Sequence, residues 1–218
     1  MRSIIFLAPP AGGKGTISEM VCDYYNIPHI STGDLLREEV NNKTNVGLEL
    51  KNIMEQGKLV EDKYIYNLLE NRLKKSDCSN GYVLDGFPRN VNQADKYSEI
   101  LKKLGMQDSV AILLDVPKEI CIKRIVGRRT CSKCGKIYNL YNESMKPNND
   151  GLCDICNMPL TKRNDDTEET YEIRYQEYMD KTEPLINYYN EKGNLISLDG
   201  SMEKEETFKK IKNFLEEI

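Results

Sequence analysis

The stretch Arg2-Ser3-Ile4-Ile5-Phe6-Leu7, followed at once by Ala8-Pro9-Pro10-Ala11-Gly12-Gly13-Lys14-Gly15-Thr16, constrains the fold of this chain more than any other. A short apolar run bounded by Gly and Pro reads as a buried strand, and Ile17, Met20, Val21 and Tyr24 then recur at helical spacing. A strand, a small-residue loop and a helix therefore follow one another directly. The N–H groups of such a loop and the positive end of the helix dipole make a concave anion site, to which Lys14 adds a full charge. Phosphate is the natural guest.

The loop departs in two ways from the phosphate-loop pattern G-x-x-x-x-G-K-[ST]. Ala8 stands where the first Gly is expected, and the hydroxyl is displaced one place, to Thr16 behind Gly15. Lys14-Gly15-Thr16 resembles the version found in nucleoside monophosphate kinases. An ordinary glycine-rich turn is the competing account, and Ala8 and Ala11 keep it open because Ala resists positive φ and close backbone approach.

Further strands are expected at 81–85, 110–116 and 194–198, with helices at 61–74, at 93–104 and from about Lys118, a long helix led by 163–170 that runs through about Tyr189, and a last one at 203–217. The run Val110-Ala111-Ile112-Leu113-Leu114 has the continuous apolarity of a strand buried on both faces of a parallel sheet. This alternation implies an α/β fold, a doubly wound parallel five-stranded sheet flanked by helices. Two insertions interrupt it near the strand ends where the loop lies. One is helical, 31–60, with a helix from about Leu35 capped by Thr32 or Asp34 and a second over 47–56. The other is polar, 128–163, leaving 1–30, 61–127 and 164–218 as the core.

The chain has 218 residues, 39% hydrophobic and 30% charged, enough for one sizeable core with small appended domains. A formal net charge of −4 gives no overall attraction to nucleic acid or anionic membrane. No apolar run of membrane-spanning length occurs, so a cytoplasmic protein is expected. Cys22, Cys78 and Cys121 are scattered singly and read as buried small hydrophobes. Cys131, Cys134, Cys153 and Cys156 instead form C-x2-C-x18-C-x2-C, two knuckles that close a tetrahedral thiolate site of the structural-zinc type. A segment of about 33 residues buries too little surface to fold alone, whereas metal ligation contributes on the order of 10 kcal/mol. Redox-active dithiols or disulfides are the alternative, and nothing else in the chain points to an oxidising compartment.

Other polar residues admit both a structural and a chemical account. Asp85 ends an apolar strand, where a carboxylate would organise magnesium and its water beside a phosphate loop, although Asp-Gly is equally a common turn pair. Arg124 and Arg128, four residues apart, are expected on one face of a helix, a costly pairing unless an anion lies between them. Asp166 and Glu169 are spaced as a capping box. His29, the only histidine, is assigned no role.

Taken together, Pro9 to Thr16, Ser31-Thr32-Gly33-Asp34-Leu35-Leu36-Arg37, Gly57-Lys58-Leu59-Val60, Leu84-Asp85-Gly86-Phe87-Pro88-Arg89 with Gln93, Arg124-Ile125-Val126-Gly127-Arg128-Arg129, and Arg163-Asn164-Asp165-Asp166 resemble the adenylate kinase family. The likeness is to its long form, whose lid carries zinc, and it runs over essentially the whole chain. It implies reversible phosphoryl transfer from ATP to AMP, giving two ADP, with magnesium. It makes 31–60 the AMP-binding domain and 128–163 the zinc-bound lid. By position, Ala11, Gly12, Gly13, Lys14, Gly15 and Thr16 would hold the ATP phosphates and magnesium, with Arg128, Ile137, Tyr138 and Met202 bordering ATP. Thr32, Arg37, Lys58, Leu59, Val60, Gly86, Phe87, Pro88, Arg89, Gln93, Arg163 and Arg174 would bind AMP. Lys14, Arg89, Arg124, Arg128, Arg163 and Arg174 would close round the transferring group, and Asp85 would order the magnesium water shell. The four lid cysteines would hold zinc in a purely structural role, since four thiolates leave no open coordination position.

The implied chemistry suits these residues, because phosphoryl transfer needs in-line positioning and dispersed positive charge rather than covalent help. Ala8 and Ala11 replace usual glycines, Gly12 a usual alanine and Ile17 a common glutamine; these departures bear on ATP affinity or turnover, while the surviving Gly13-Lys14-Gly15-Thr16 predicts an active enzyme. A kinase for UMP or CMP is the nearest rival, disfavoured by Thr32, Gln93 and the full-length lid. A non-catalytic zinc-ribbon module for nucleotides or nucleic acid is the more distant one, disfavoured by the acidic balance. A monomer that binds neither nucleic acid nor membrane is expected.

Overall fold

The computed structural model describes residues 2–43, 47–51, 61–162 and 166–217. Lys58, Leu59, Val60 and Arg163, with the side chain of Arg37, lie outside the described residues, as does most of the helix expected over 47–56, of which 47–51 is helical.

Five parallel strands form the central sheet in the order β2-β3-β1-β4-β8: β1 (Ile4–Leu7), β2 (His29–Ser31), β3 (Val83–Asp85), β4 (Val110–Asp115) and β8 (Leu195–Asp199). Side chains of a strand alternate between faces, so an unbroken apolar strand needs a core on each side. Ile5, Leu7, Leu84, Ala111 and Leu113 fill one core. It is closed by Leu69 and Leu73 of α3 (Asp62–Leu73), Ala94, Tyr97, Ile100 and Leu101 of α4 (Val91–Lys103), and Leu185 and Tyr189 of α7 (Pro184–Glu191). Ile4, Phe6, Val83, Ile112 and Leu114 fill the other, against Ile17 and Val21 of α1 (Lys14–Tyr25) and Ile211 and Leu215 of α8 (Lys204–Glu217). Both faces are covered, as the alternating sequence requires. Among the described residues no helix is long and apolar enough to cross a membrane.

A separate antiparallel sheet, β6-β5-β7, is made by β5 (Arg128–Cys131), β6 (Ile137–Asn139) and β7 (Leu160–Thr161). Among the described residues its hydrophobic cluster is small, Cys131, Tyr138 and Cys153 with Cys156 and Leu160 packed against them.

Four local expectations are corrected. Helix α2 (Thr32–Asn41) begins at Thr32 and is capped by Ser31, whose hydroxyl accepts from the Asp34 N–H at 3.4 Å, so neither Thr32 nor Asp34 is the cap. Helix α5 (Lys118–Gly127) stops before Arg128, which adopts extended backbone at φ −63°, ψ 135° and starts β5. Arg124 and Arg128 therefore do not share a helix face. The long helix expected to end near Tyr189 is broken: α6 (Glu168–Glu177) passes through a wider turn over Tyr178–Thr182 before α7. Pro184 has no N–H to continue the ladder, and Glu183 N–H reaches back to the Tyr178 carbonyl at 2.8 Å. The capping box at Asp166 and Glu169 is replaced by Thr167, which accepts from the Thr170 N–H at 3.2 Å, while Asp166 turns inward.

Candidate active site

β1 lies in the middle of the sheet, and the chain builds outward from it first on one side (β2, β3) and then on the other (β4, β8). Parallel α/β sheets bind ligands at such a reversal, beyond the carboxyl ends of the strands. The loop after β1 occupies that place. Gly13 precedes α1 in the left-handed region at φ +92°, and no side chain caps the helix, which leaves its first N–H groups directed to a ligand. Ala11 is also left-handed, at φ +59°, a conformation that costs an alanine roughly 1–2 kcal/mol.

Ala8 and Gly12 turn out to be one feature. A Cβ built on Gly12 would lie 2.8 Å from the Ala8 methyl and 2.9 Å from the Pro9 carbonyl oxygen. The Ala8 methyl therefore fills space that a side chain at position 12 would need, and the Pro9 carbonyl would crowd that side chain as well. The sequence showed two unrelated departures because the contact that joins them exists only in the folded turn.

Positive charge gathers at this loop. Burial lowers the Lys14 pKa from its ordinary value; Asp85 opposes the shift, and the charges of Arg89 and Arg174 add to it. Three groups drawn from the end of β3, the following loop and α6 thus act on Lys14 at the start of α1. Arg124 donates through Nη2 to the Gly200 carbonyl at 2.9 Å. Its Nη1 is buried, has no hydrogen-bond partner among the described residues, and lies 3.7 Å from the Cβ position of Gly13. A buried guanidinium donor without a partner is costly unless an anion meets it.

Asp85 sits at the carboxyl end of β3, 3.5 Å from His29 Nε2. His29 hydrogen-bonding, reinforced by Lys14, holds the Asp85 carboxyl below its usual range, and the same contact raises the pKa of His29. His29, given no role from the sequence, is therefore a neighbour of this carboxylate, brought there by the pairing of β2 with β3. No local pattern announces such a contact.

Beside Asp85, the Gly86 carbonyl accepts from Arg89 Nε at 2.8 Å and Thr32 Oγ1 at 3.3 Å. Gly86 has φ +74°, and a Cβ there would crowd Thr32 Oγ1 at 3.3 Å. Gln93 is buried one turn into α4, its Oε1 accepting from the Arg89 N–H at 2.7 Å and its Nε2 donating to Asp62 at 2.8 Å. Thr32, Gly86, Arg89 and Gln93 are thus brought together at one place. Phe87 packs into the core against Tyr66 and Tyr97, so only its backbone remains for a ligand.

Arg128 forms a two-pronged pair with Asp166, whose side chain is fully buried. Sequence spacing missed Asp166 as a partner because it offered a local explanation, the capping box. Tyr138 points into the lid interior; its hydroxyl donates to Cys153 Sγ at 3.4 Å and accepts from the Asp154 N–H at 2.8 Å. The ring is therefore committed to the lid, and any part it takes in bordering a nucleotide falls to its backbone. Ile137 is half-buried on the same strand, and Met202 Sδ is 3.3 Å from Lys210 Nζ.

The four lid cysteines converge, their sulfurs all within 4.8 Å of one another. Cys131–Cys156, Cys134–Cys153 and Cys153–Cys156 are 3.5, 3.6 and 3.6 Å apart, too far for disulfides, and all seven cysteines are free. A tetrahedral site with metal–sulfur bonds of about 2.3 Å separates its sulfurs by about 3.8 Å. The cluster fits that cage. Backbone N–H groups of Cys134 and Lys133 lower the Cys131 pKa, and the Tyr138 hydroxyl brings that of Cys153 down to about 6, favouring thiolates at these two, whereas contacts with the neighbouring sulfurs, Cys134 first, push the Cys156 thiol up.

With this geometry in place, comparison with known proteins is decisive. A family model described as adenylate kinase matches residues 6–194. The chain belongs to the adenylate kinase family. Its relatives include an adenylate kinase of Kosmotoga olearia, 49% identical over 215 residues that cover 97% of this chain and 99% of that one. Another, from Clostridium tetani, is 44% identical with 98% of each chain covered, and one from Archaeoglobus fulgidus is 44% identical with 99% of each covered. Similarity thus extends through the lid and both flanks of the sheet.

Two outcomes follow from the site geometry. Gly12→Ala alone is expected to destabilise the protein by about 1–3 kcal/mol by overpacking, and Ala8→Gly on that background to restore part of the loss, the Pro9 carbonyl contact remaining; denaturant unfolding of both single variants and the double variant measures the coupling. For His29, a raised folded pKa means that its stabilisation is complete below about pH 6.5, the unfolded value, and is lost as pH rises through the folded one. For Asp85, a lowered pKa means that stabilisation is present above about pH 3.8 and is lost as pH falls through the folded value. His29→Gln should therefore lower the melting temperature most between about pH 4 and 6.5 and very little near pH 9, measured on the ligand-free protein.

Proposed function

We propose that this protein transfers the terminal phosphoryl group of ATP to AMP, an oxygen of the AMP phosphate forming the new P–O bond as the bond to the departing ADP breaks. The observation that carries this reading is Arg124 Nη1, buried without a partner beside Gly13 of the phosphate loop, within a cluster in which Arg89 and Arg174 also act on Lys14. Such donors disperse charge on the equatorial oxygens of the transferring group, and their positions are fixed before reaction.

In this reading the N–H groups leading into α1, with Lys14, bind the ATP phosphates. Arg124, Arg89, Arg163 and Arg174 surround the transferring phosphoryl, with Arg128 positioned by Asp166 at the root of the lid. Thr32, Arg37, the 58–60 segment, the Gly86–Arg89 backbone and Gln93 receive AMP. Ile137, Tyr138 and Met202 border ATP. Magnesium, bound with ATP, neutralises phosphate charge, and Thr16 and Asp85 are the residues that would hold it and its water. Zinc on Cys131, Cys134, Cys153 and Cys156 would keep the lid folded, because Cys131, Tyr138 and Cys153 alone make too small an interior. The lid, 128–163, would exclude water, the competing acceptor. We place the protein in the cytoplasm as a monomer, in keeping with its free cysteines and with its acidic balance, which also disfavours nucleic acid.

A coupled ADP-formation assay over AMP, GMP, CMP and UMP, with and without magnesium, tests the reading: AMP should be the preferred acceptor and magnesium required. Preference for a pyrimidine monophosphate would move the substrate assignment to the rival kinase. Arg124→Lys should lower kcat about 10²-fold or more, because a lysine cannot donate to Gly200 and a phosphoryl oxygen through one planar fork. Stripping zinc with a chelator should lower the melting temperature and expose the lid to proteolysis; unchanged values would refute the structural role of zinc.

A further inference from the structure

We infer that Asp62 is a specificity-determining residue, which sets the acceptor base by fixing which way the Gln93 side-chain amide faces. The inference rests on the reading that the base of AMP sits against Gln93. A glutamine amide has two nearly isosteric orientations, and its neighbours decide between them. Here both neighbours choose the same one. The Arg89 backbone N–H only donates, so the group facing it at 2.7 Å must be Oε1. The Asp62 carboxylate only accepts at neutral pH, so the group facing Oδ1 at 2.8 Å must be Nε2.

Each partner is itself held. Asp62 is the first residue of α3, and its Oδ2 accepts from the Tyr66 hydroxyl at 3.3 Å. The Gln93 backbone N–H donates to the capping Asn90 side chain at 2.9 Å, which anchors the start of α4. Gln93 is only 6% exposed, so water does not compensate a wrong orientation. Turning the amide over would set Oε1 against a carboxylate and the amino group against an N–H. Two hydrogen bonds would be lost and two repulsions gained.

One Oε1 lone pair and one Nε2 hydrogen have no partner among the described residues. In the locked orientation this edge offers an acceptor and a donor side by side. Adenine presents the complement, an amino group that donates at position 6 and a ring nitrogen that accepts at position 1. Hypoxanthine and guanine present the reverse, a carbonyl at position 6 and an N–H at position 1, and would fit only the overturned amide. Asp62 thus acts on the base through Gln93 without touching it.

The experiment compares AMP and IMP as acceptors, because their bases differ only at this edge. In Asp62→Asn, the new amide can donate to an overturned Oε1 as readily as it accepts from Nε2, so only the Arg89 N–H still opposes the turn and the IMP:AMP ratio of kcat/KM should rise at least tenfold. The change should be carried by opposite shifts in the two KM values. Asp62→Ala, which leaves the Arg89 N–H as the one neighbour still holding Oε1, should give an intermediate ratio, and Asp62→Glu should restore discrimination toward the wild-type value. Equal losses for AMP and IMP in the Asn and Ala variants, or a ratio unchanged in both, would overturn the proposal. Should the Asn variant fail to fold, the Ala variant alone decides in the same terms. Gln93→Leu separates the underlying reading: an unchanged KM for AMP there would show that the base lies elsewhere, whereas a raised KM with no change of ratio in the Asp62 variants would sink only the role of Asp62.

Discussion

Concentration of positive charge around a loop of backbone N–H groups is the constraint to which the rest of this structure answers. Arg89 and Arg174 act on Lys14 through space, with Asp85 as the opposing charge, and Arg124 brings a buried donor to the same loop. Left to themselves, such groups repel and lose hydration. In the proposed complex their cost would be offset by a polyphosphate between them, which would account for such a concentration of cations in a protein with a net charge of −4. Each arrives from a different element, so the parallel sheet, with all its carboxyl ends at one edge, is what makes the gathering possible.

The loop itself is close-packed enough to couple its own residues. A methyl at position 8 occupies the space that a side chain at position 12 would need, and Ala11 accepts a left-handed conformation that glycine adopts without strain. What chemistry needs preserved is the path of the backbone and its N–H directions, and more than one set of small side chains meets that need.

Away from the loop, the same site is held by carboxylates that touch no phosphate. Asp166 grips Arg128 where the lid leaves the core, and Asp62 grips Gln93 where α3 and α4 meet. Both are acceptors placed behind a donor, and both decide how that donor is presented. The lid obeys a different economy. Its interior is two cysteines and a tyrosine, and the hydroxyl of that tyrosine is spent on a cysteine sulfur, so its folding and its metal ligands are one problem.

By itself the sequence determined the parallel α/β sheet, the phosphate loop, the cysteine cage and the family, because each rests on local spacing: continuous apolarity needs two covered faces, and two C-x-x-C knuckles bring four sulfurs together. Tertiary structure alone decided which side chains meet across the chain. Nothing adjacent to His29 names Asp85, since strand pairing joins them. Arg124 and Arg128 share a helical spacing, yet the helix ends at Gly127, where a Cβ would strike Asn139 and Tyr141 of the lid at 2.5 and 2.6 Å. Asp166 has the spacing of a cap and the burial of an ion-pair partner. In each case a short-range preference worth about 1 kcal/mol met a long-range contact in a desolvated interior, where an unpaired charge or a steric overlap costs several times more, and the long-range contact prevailed.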